Sequence, residues 1–89
     1  MKTLYLPSFL TDLKALKSTR VSSPIKTLVF EKIPSCSTLD EIRKLTKLTG
    51  YDDAYRIRVD DYRIGIFING DTLTFARVLH RKEIYRYFP

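Results

Sequence analysis

Arginines at positions 56, 58 and 63 form the cluster in this sequence that is best suited to binding a charged ligand. Successive side chains of a β-strand point to opposite faces, so Arg56 and Arg58 are predicted to share one face. If Asp60-Asp61 is a two-residue hairpin turn, Arg58 lies opposite Arg63, and Arg56 lies opposite Gly65. Like charges directly opposite each other destabilise a sheet, so the cluster indicates a surface that binds a polyanion.

Residues that can transfer a proton follow the arginines near the end of the chain. His80 has the side chain whose unperturbed pKa is closest to neutral pH. Tyr85 is a second candidate, because neighbouring positive charges favour its phenolate. Arg81 lies between them, and arginine offers a planar set of donors that suits phosphate oxygens but cannot act as a base. This composition is typical of a site that binds phosphate.

The first half of the chain is predicted to form a helical hairpin that covers one face of a sheet. We expect the first helix to have Ser8 as its N-cap, and the second to have Ser23 as its N-cap with Pro24 at its first position. Pro34 ends the second helix. The inward-facing apolar residues are Phe9, Leu10, Leu13 and Leu16 in the first helix, and Ile25, Leu28, Val29 and Ile33 in the second.

The second half of the chain is predicted to form most of the sheet. A short third helix or turn is expected to start at the capping-box pair Thr38 and Glu41 and to include Leu45. The spacing of apolar residues then changes from helical to alternating, and turn signals at residues 60–61 and 69–71 divide the rest into three antiparallel strands. A β-prone run close to Met1 adds a fourth strand.

Alternation assigns the strand residues to two faces. The core face is predicted to consist of Tyr62, Ile64, Ile66, Ile68, Leu73, Phe75 and Leu79. The opposite face is predicted to carry the arginines together with Gly65, Thr74, Ala76, Val78 and His80, where small residues leave room for a ligand. Arg77 falls on the core face, where we expect its stem to pack and its charged head to reach water.

Length and charge set limits on fold and ligand. The 89 residues fit one domain, 1–89, with a compact core. We predict an α+β fold, in which an N-terminal helical hairpin packs on a small, mainly antiparallel four-stranded sheet with a short C-terminal helix. The formal charge of +6 favours nucleic acid, an acidic protein or an anionic membrane surface as the ligand.

Cysteine content and apolar runs indicate the compartment. The single Cys36 cannot form an intramolecular disulfide, which fits a reducing cytoplasm. The apolar runs are far shorter than the roughly 20 residues that crossing a membrane requires. We therefore expect a cytoplasmic protein without a membrane segment.

Several stretches together resemble the RelE branch of the RelE/ParE toxin superfamily. They are Tyr55-Arg56-Ile57-Arg58-Val59, then Asp61-Tyr62-Arg63-Ile64, and finally Val78-Leu79-His80-Arg81-Lys82-Glu83-Ile84-Tyr85-Arg86. The preceding Leu45-Thr46-Lys47-Leu48-Thr49-Gly50 is similar to the family's Lys-Leu-x-Gly approach to the second strand. The resemblance covers nearly the whole chain, and it is specific through the order and spacing of its motifs.

The resemblance implies the toxin of a type II toxin–antitoxin pair, which enters the decoding site of the ribosome and cuts messenger RNA. Such toxins are described as driving attack of the RNA's own 2′-hydroxyl on the adjacent phosphate, without a metal or another cofactor. The implied partners are the ribosome, mRNA and a cognate antitoxin, which binds the toxin in a hetero-oligomer.

The resemblance also implies roles for individual residues. By motif position, Arg63 holds the scissile phosphate and Arg81 stabilises its developing charge, which is electrostatic preorganisation. Arg56 and Arg58 complete the RNA-binding surface. Tyr85 orients or deprotonates the 2′-hydroxyl, and His80 is the other proton-transfer group.

The chain departs from some family members, which carry lysines at the positions of Arg56, Arg58 and His80. A crowded lysine can release its proton, whereas arginine cannot. The base is therefore His80, Tyr85 or a carboxylate from another segment. Two other functions stay open: a ParE-like inhibitor of DNA gyrase without nuclease activity, and an inactive remnant that binds RNA in a salt-sensitive way.

Overall fold

The computed structural model describes residues 1–89, and its frame is a five-stranded sheet. The strands are β1 (Lys2–Tyr5), β2 (Leu45–Lys47), β3 (Ala54–Val59), β4 (Tyr62–Asn69) and β5 (Thr72–His80). The helices are α1 (Pro7–Ala15), α2 (Ser22–Thr27) and α3 (Ile84–Tyr87). A π-helical segment, Leu28–Lys32, extends α2, and a 3₁₀ turn covers Leu39–Glu41.

The strand order is β1-β5-β4-β3-β2, with β1 parallel to β5 and every other pair antiparallel. This confirms the α+β class and the mainly antiparallel sheet, but the predicted number of four strands is wrong because β2 adds a fifth. Leu45, which we expected in a short third helix or turn, lies in β2 and pairs with Ile57 of β3. The β-prone run close to Met1 is confirmed as β1, so the helical hairpin follows a strand and is not the first element of the chain.

Apolar side chains of α1 and α2 pack on one face of the sheet, which we call the core face. Phe9, Ile25 and Val29 are fully buried there, in one cluster with the strand residues Ile57, Ile64, Ile66, Leu73, Phe75 and Val78. Leu10 instead points to solvent, with 45% of its surface exposed. None of the helices is both long and apolar enough to cross a membrane.

The predicted helix caps differ from those in the structure. Leu6 is the N-cap of α1, because Pro7 already occupies the first turn. Val21 is the N-cap of α2, so the predictions of Ser8 and Ser23 as caps are wrong. The capping box of Thr38 and Glu41 is confirmed, although it starts only one 3₁₀ turn.

Helix α1 covers the edge of β5 where β1 has ended. Strand β1 pairs with β5 only as far as Phe75. Beyond that point, the Ser8 hydroxyl donates to the carbonyl of Ala76 at 2.7 Å, and the Asp12 carboxylate accepts the N–H of Val78 at 3.1 Å. These contacts satisfy backbone groups that an open edge leaves unpaired.

A β-bulge in β5 changes which residues share a face. Gly65 pairs with Arg77 but Ile66 pairs with Phe75, so Ala76 is an extra residue in the ladder. Because the bulge shifts the alternation by one residue, Val78 faces the core and Arg77 faces away from it, opposite Gly65. The predicted placements of Arg77 and Val78 are therefore wrong, and Leu79 also moves to the other face, opposite Arg63.

The sheet face that carries Arg56, Arg58 and Arg63, which we call the arginine face, is partly covered by the end of the chain. A second apolar cluster consists of Ala54, Ala76, Ile84 and Phe88. The Phe88 ring lies directly on Gly65, where an added Cβ atom would be 2.5 Å from the ring. Gly65 thus makes room for Phe88. The prediction that this small residue leaves room for a ligand is wrong.

Candidate nucleic-acid interface

Three arginines, one lysine and one threonine line an open pocket on the arginine face, with a volume of about 320 Å³. We call it the arginine pocket; its residues are Lys44, Thr46, Arg56, Arg58 and Arg63. The predicted register is confirmed, since Arg58 lies opposite Arg63 and Arg56 opposite Gly65. The three arginines that the sequence singled out therefore converge on one site.

The turn between β3 and β4 fixes this register. Strand β3 ends at Val59 and β4 begins at Tyr62, so Asp60-Asp61 is the two-residue turn that the sequence predicts. Asp60 adopts a left-handed conformation, with φ of 56°, which aspartate tolerates better than most residues. Its carboxylate binds Arg20 at 3.1 Å and so does not neutralise the pocket.

The positive charges of the pocket have no carboxylate partner. The ion pairs of the chain join Arg20 to Asp60, Arg77 to Asp12, and Arg81 to Asp61. The Arg63 guanidinium is held in place by neutral acceptors, since its Nη1 donates to the carbonyls of Asp60 at 3.0 Å and Tyr62 at 2.9 Å. A group of cations without counter-charges adds nothing to folding stability, but it is prepared to bind an anion.

Tyr85 lies beside the pocket on the exposed side of α3. Tyr85 is 73% exposed, and the guanidinium carbon of Arg56 is 4.9 Å from the centroid of its ring. Arg56, as a hydrogen-bond donor and as a positive charge, lowers the pKa of the Tyr85 phenol, and the charge of Arg63 adds to the effect. The phenolate of Tyr85 therefore forms more readily than that of a free tyrosine, next to the predicted phosphate-binding groups, as the sequence suggested.

Helix α3 places Tyr85 because its other side is anchored. Ile84 is fully buried and Phe88 is 5% exposed, both in the cluster on the arginine face. Tyr87 lies against Arg77, with 5.1 Å between the guanidinium carbon and the ring centroid. One turn of helix thereby sets Tyr85 against the pocket.

His80 does not join this group. It pairs with Tyr62, and Tyr62 packs against the core cluster, so His80 lies at the end of the core face. The two rings meet edge to face with 5.4 Å between centroids, and His80 Nδ1 accepts the N–H of Lys82 at 3.1 Å. The expectation that His80 reaches the arginine face is wrong, because the bulge in β5 reverses the alternation before it.

Arg81 lies just beyond the end of β5, next to the β3–β4 turn. Its N–H donates to the carbonyl of Asp61 at 2.8 Å, which continues the ladder by one residue. Its Nε is 3.9 Å from the Asp61 carboxylate, and both side chains are more than half exposed. Such a loose surface pair contributes little, so the Arg81 guanidinium stays available for a ligand, although it does not line the pocket.

Lys44 and Thr46 are pocket residues that the sequence did not indicate. They belong to the approach to β2 and to β2 itself, and Thr46 lies opposite Arg56. A signal exists in retrospect: Lys44 and Thr46 flank Leu45, which is an alternating pattern, but three residues are too few to distinguish it from a helical turn.

The site combines two chemical capacities. Guanidinium groups bind phosphate oxygens through paired donors and keep their charge at any physiological pH. A tyrosine phenolate can accept a proton from a hydroxyl group bound nearby, and a lowered pKa makes that phenolate easier to form. Together they suit a reaction at a phosphate group of a nucleic-acid strand.

Comparisons with known proteins match this chain to toxins of toxin–antitoxin systems. A family model described as the ParE toxin of the type II toxin–antitoxin system parDE matches residues 4–85. Toxin RelE3 from Methanocaldococcus jannaschii is 46% identical over 90 residues, covering 100% of both chains.

Solved structures give the same result. The crystal structure of the RelB–RelE antitoxin–toxin complex from Methanococcus jannaschii matches with a TM-score of 0.78 and 45% identity, over 97% of this chain and 99% of that chain. The toxin–antitoxin complex RelBE2 from Mycobacterium tuberculosis matches with a TM-score of 0.68 and 19% identity, over 90% and 96% of the two chains. The second likeness shows the shared fold alone.

Proposed function

Because the chain belongs to the RelE/ParE family of type II toxin–antitoxin toxins, we propose that it is an endoribonuclease that cuts mRNA in the decoding site of the ribosome. The observation that carries the proposal is the position of Tyr85 beside the arginine pocket. Arg56 contacts the Tyr85 ring and lines the pocket, so one guanidinium connects the phosphate-binding surface with the proton acceptor.

In this reaction the 2′-oxygen of one nucleotide attacks the phosphorus of the adjacent phosphate. The Tyr85 phenolate takes the 2′-hydroxyl proton, the O2′–P bond forms, and the P–O5′ bond breaks. The products are a cyclic phosphate and a 5′-hydroxyl, and solvent supplies the proton that O5′ receives. Arginine cations stabilise the charge of the transition state, so the reaction needs no metal or other cofactor.

The pocket residues take separate roles. Arg63, whose guanidinium is held by two backbone carbonyls, binds the scissile phosphate. Arg81 stabilises the charge that develops on it, and Arg56 and Arg58 bind the RNA backbone. We assign no step to His80, because it lies on the core face, whereas Tyr85 stands beside the arginines.

The proposal includes the partners of the toxin. RelE of Methanococcus jannaschii, which has 45% identity to this chain, was solved in complex with the antitoxin RelB. We propose that a cognate antitoxin likewise binds this chain in a hetero-oligomer, covering the arginine face or displacing α3. Its target, the translating ribosome with bound mRNA, places the activity in the cytoplasm.

A second candidate function is inhibition of DNA gyrase, as the ParE description of the matching family model suggests. A protein that only binds gyrase does not require a tyrosine with a lowered pKa next to unpaired arginines. The measurement that decides is the accumulation of gyrase–DNA cleavage complexes. Their appearance with purified toxin, without mRNA cleavage, would establish the ParE-like function.

The nuclease is tested in a reconstituted translation reaction, with the new mRNA ends mapped by primer extension. We expect cuts at the decoding site only when ribosomes are present. Arg63→Ala should lower the cleavage rate by about 10²–10³, which is the effect of removing one transition-state donor. Arg81→Ala should also reduce it strongly. Unchanged cleavage in both variants would reject the assigned site.

A further inference from the structure

Lys44 and Thr46 form the β2 side of the arginine pocket. Thr46 lies directly opposite Arg56, and the N–H of Arg58 donates to the carbonyl of Lys44 at 3.4 Å. Lys44 and Thr46 therefore lie beside Arg58 and Arg56, at the edge of the sheet. The pocket extends over three strands, from Arg63 on β4 to Lys44 at the start of β2.

The backbone of Lys44 has an unfavourable conformation. Its φ is 61°, and Asp60 is the one other non-glycine residue with a positive φ. At Asp60 the hairpin turn accounts for this angle, but lysine has no side-chain acceptor that eases the left-handed region. Such residues persist where the surrounding structure holds them, and they cluster at binding and catalytic sites.

The charge of Lys44 is as free as that of the arginines. The side chain is exposed, and none of the ion pairs of the chain includes it. The pocket lining thus holds four cationic side chains and no carboxylate. Four cations facing one space indicate a ligand that carries more than one negative charge.

The width of the pocket sets the spacing of those negative charges. Neighbouring strands lie about 4.8 Å apart, so β2 and β4, on either side of β3, are separated by roughly 10 Å. The arginine pocket spans this width, and its volume of about 320 Å³ has room for more than one phosphate group. We propose that Lys44 and Thr46 form a second phosphate subsite, which binds the RNA phosphate adjacent to the scissile one. This inference rests on the proposed function.

In this subsite Lys44 supplies the charge and the Thr46 hydroxyl donates one hydrogen bond to a phosphate oxygen. The role of the subsite is to fix the position of the RNA strand, so that the scissile phosphate lies on Arg63 and the 2′-hydroxyl lies near Tyr85. The subsite contacts the sugar–phosphate backbone and not the bases, so it acts on every sequence alike.

The experiment compares two RNA ligands that cannot be cleaved, a 2′-O-methyl dinucleotide with one phosphate and a 2′-O-methyl trinucleotide with two. Affinities for the free toxin are measured at low salt by fluorescence anisotropy. The wild-type protein should bind the trinucleotide at least about fivefold more tightly, which one exposed charge-assisted contact provides. Lys44→Gln should bind both ligands equally, and Thr46→Val should show a smaller loss.

Lys47→Gln is the matched control, since Lys47 lies on the same strand but pairs with Tyr55 and does not line the pocket. It should keep the preference for the trinucleotide. The subsite does not exist if Lys44→Gln keeps that preference, if both lysine variants lose it equally, or if the wild-type protein binds both ligands alike. Cleavage on ribosomes is measured separately, so failure of the subsite and failure of the nuclease are distinguishable.

Discussion

Arg56 and Arg77 lie on the same face of the sheet, each against a tyrosine ring of α3, but their electrostatic surroundings are opposite. The guanidinium carbon of Arg56 is 4.9 Å from the Tyr85 ring, and that of Arg77 is 5.1 Å from the Tyr87 ring. Arg77 donates to both oxygens of Asp12, at 2.6 Å and 3.0 Å, whereas Arg56 has no carboxylate partner.

The difference separates a structural arginine from a functional one. The hydrogen bonds to Asp12 raise the pKa of Arg77, and the pair joins α1 to the bulged part of β5. Asp12 is 9% exposed, so this charge is bound inside the fold. Arg56 is instead left with Tyr85, whose pKa it lowers. Charge that the fold does not neutralise is available for RNA.

The largest expected effect separates the two tyrosines of α3. Tyr85→Phe should lower the rate of mRNA cleavage on ribosomes by about 100-fold, because a general base contributes on the order of 10²–10⁴. Tyr87→Phe, which keeps the ring on Arg77, should leave the rate nearly unchanged. Equal rates in the two variants would show that Tyr85 is not the base.

Next in size is the loss of the structural pair. Asp12→Ala removes the acceptor of Arg77 and of the Val78 N–H, so the free energy of unfolding should fall by about 2–3 kcal/mol. Urea denaturation followed by circular dichroism measures this change. The cleavage rate of the folded variant should stay close to that of the wild type. An unchanged midpoint would contradict the structural role given to the pair.

A substitution of Arg56, an arginine of the pocket, should change the pH dependence of mRNA cleavage. Arg56→Gln removes the group that lowers the Tyr85 pKa, so the phenolate should form only at higher pH. The pH at which the cleavage rate rises should then be higher than in the wild type. The rate at neutral pH should be reduced, and alkaline buffer should partly restore it. A uniform reduction across the pH range would remove the link between Arg56 and the base.

The smallest expected effect concerns His80. Since His80 lies on the core face against Tyr62, His80→Ala should change the cleavage rate by no more than about threefold. The same ribosome assay, run beside Tyr85→Phe, makes the comparison. A loss as large as that of Tyr85→Phe would return the proton-transfer role to His80.

Local chemistry in the sequence predicts the β3–β4 hairpin and much of the site. A two-residue turn at Asp60-Asp61 determines the register of both strands, and with it the pairing of Arg58 with Arg63. These features depend on residues close together in the chain.

Features that depend on distant contacts were missed. The bulge at Ala76 forms where α1 hydrogen-bonds to the edge of β5 through Ser8 and Asp12, and no pattern within β5 reveals it. Everything after the bulge was therefore assigned to the wrong face, including His80. Strand β2 is short and mostly polar, so its assignment requires knowledge of its partner, β3.

One measurement on Arg58 tests most directly whether the arginine pocket exists for a ligand and not for the fold. Arg58 lies opposite Arg63, so Arg58→Gln removes a pair of like charges from the sheet. The free energy of unfolding should stay the same or rise by up to about 0.5 kcal/mol, while the rate of cleavage on ribosomes falls by about tenfold. A variant that loses stability but cleaves mRNA at the wild-type rate would contradict the account.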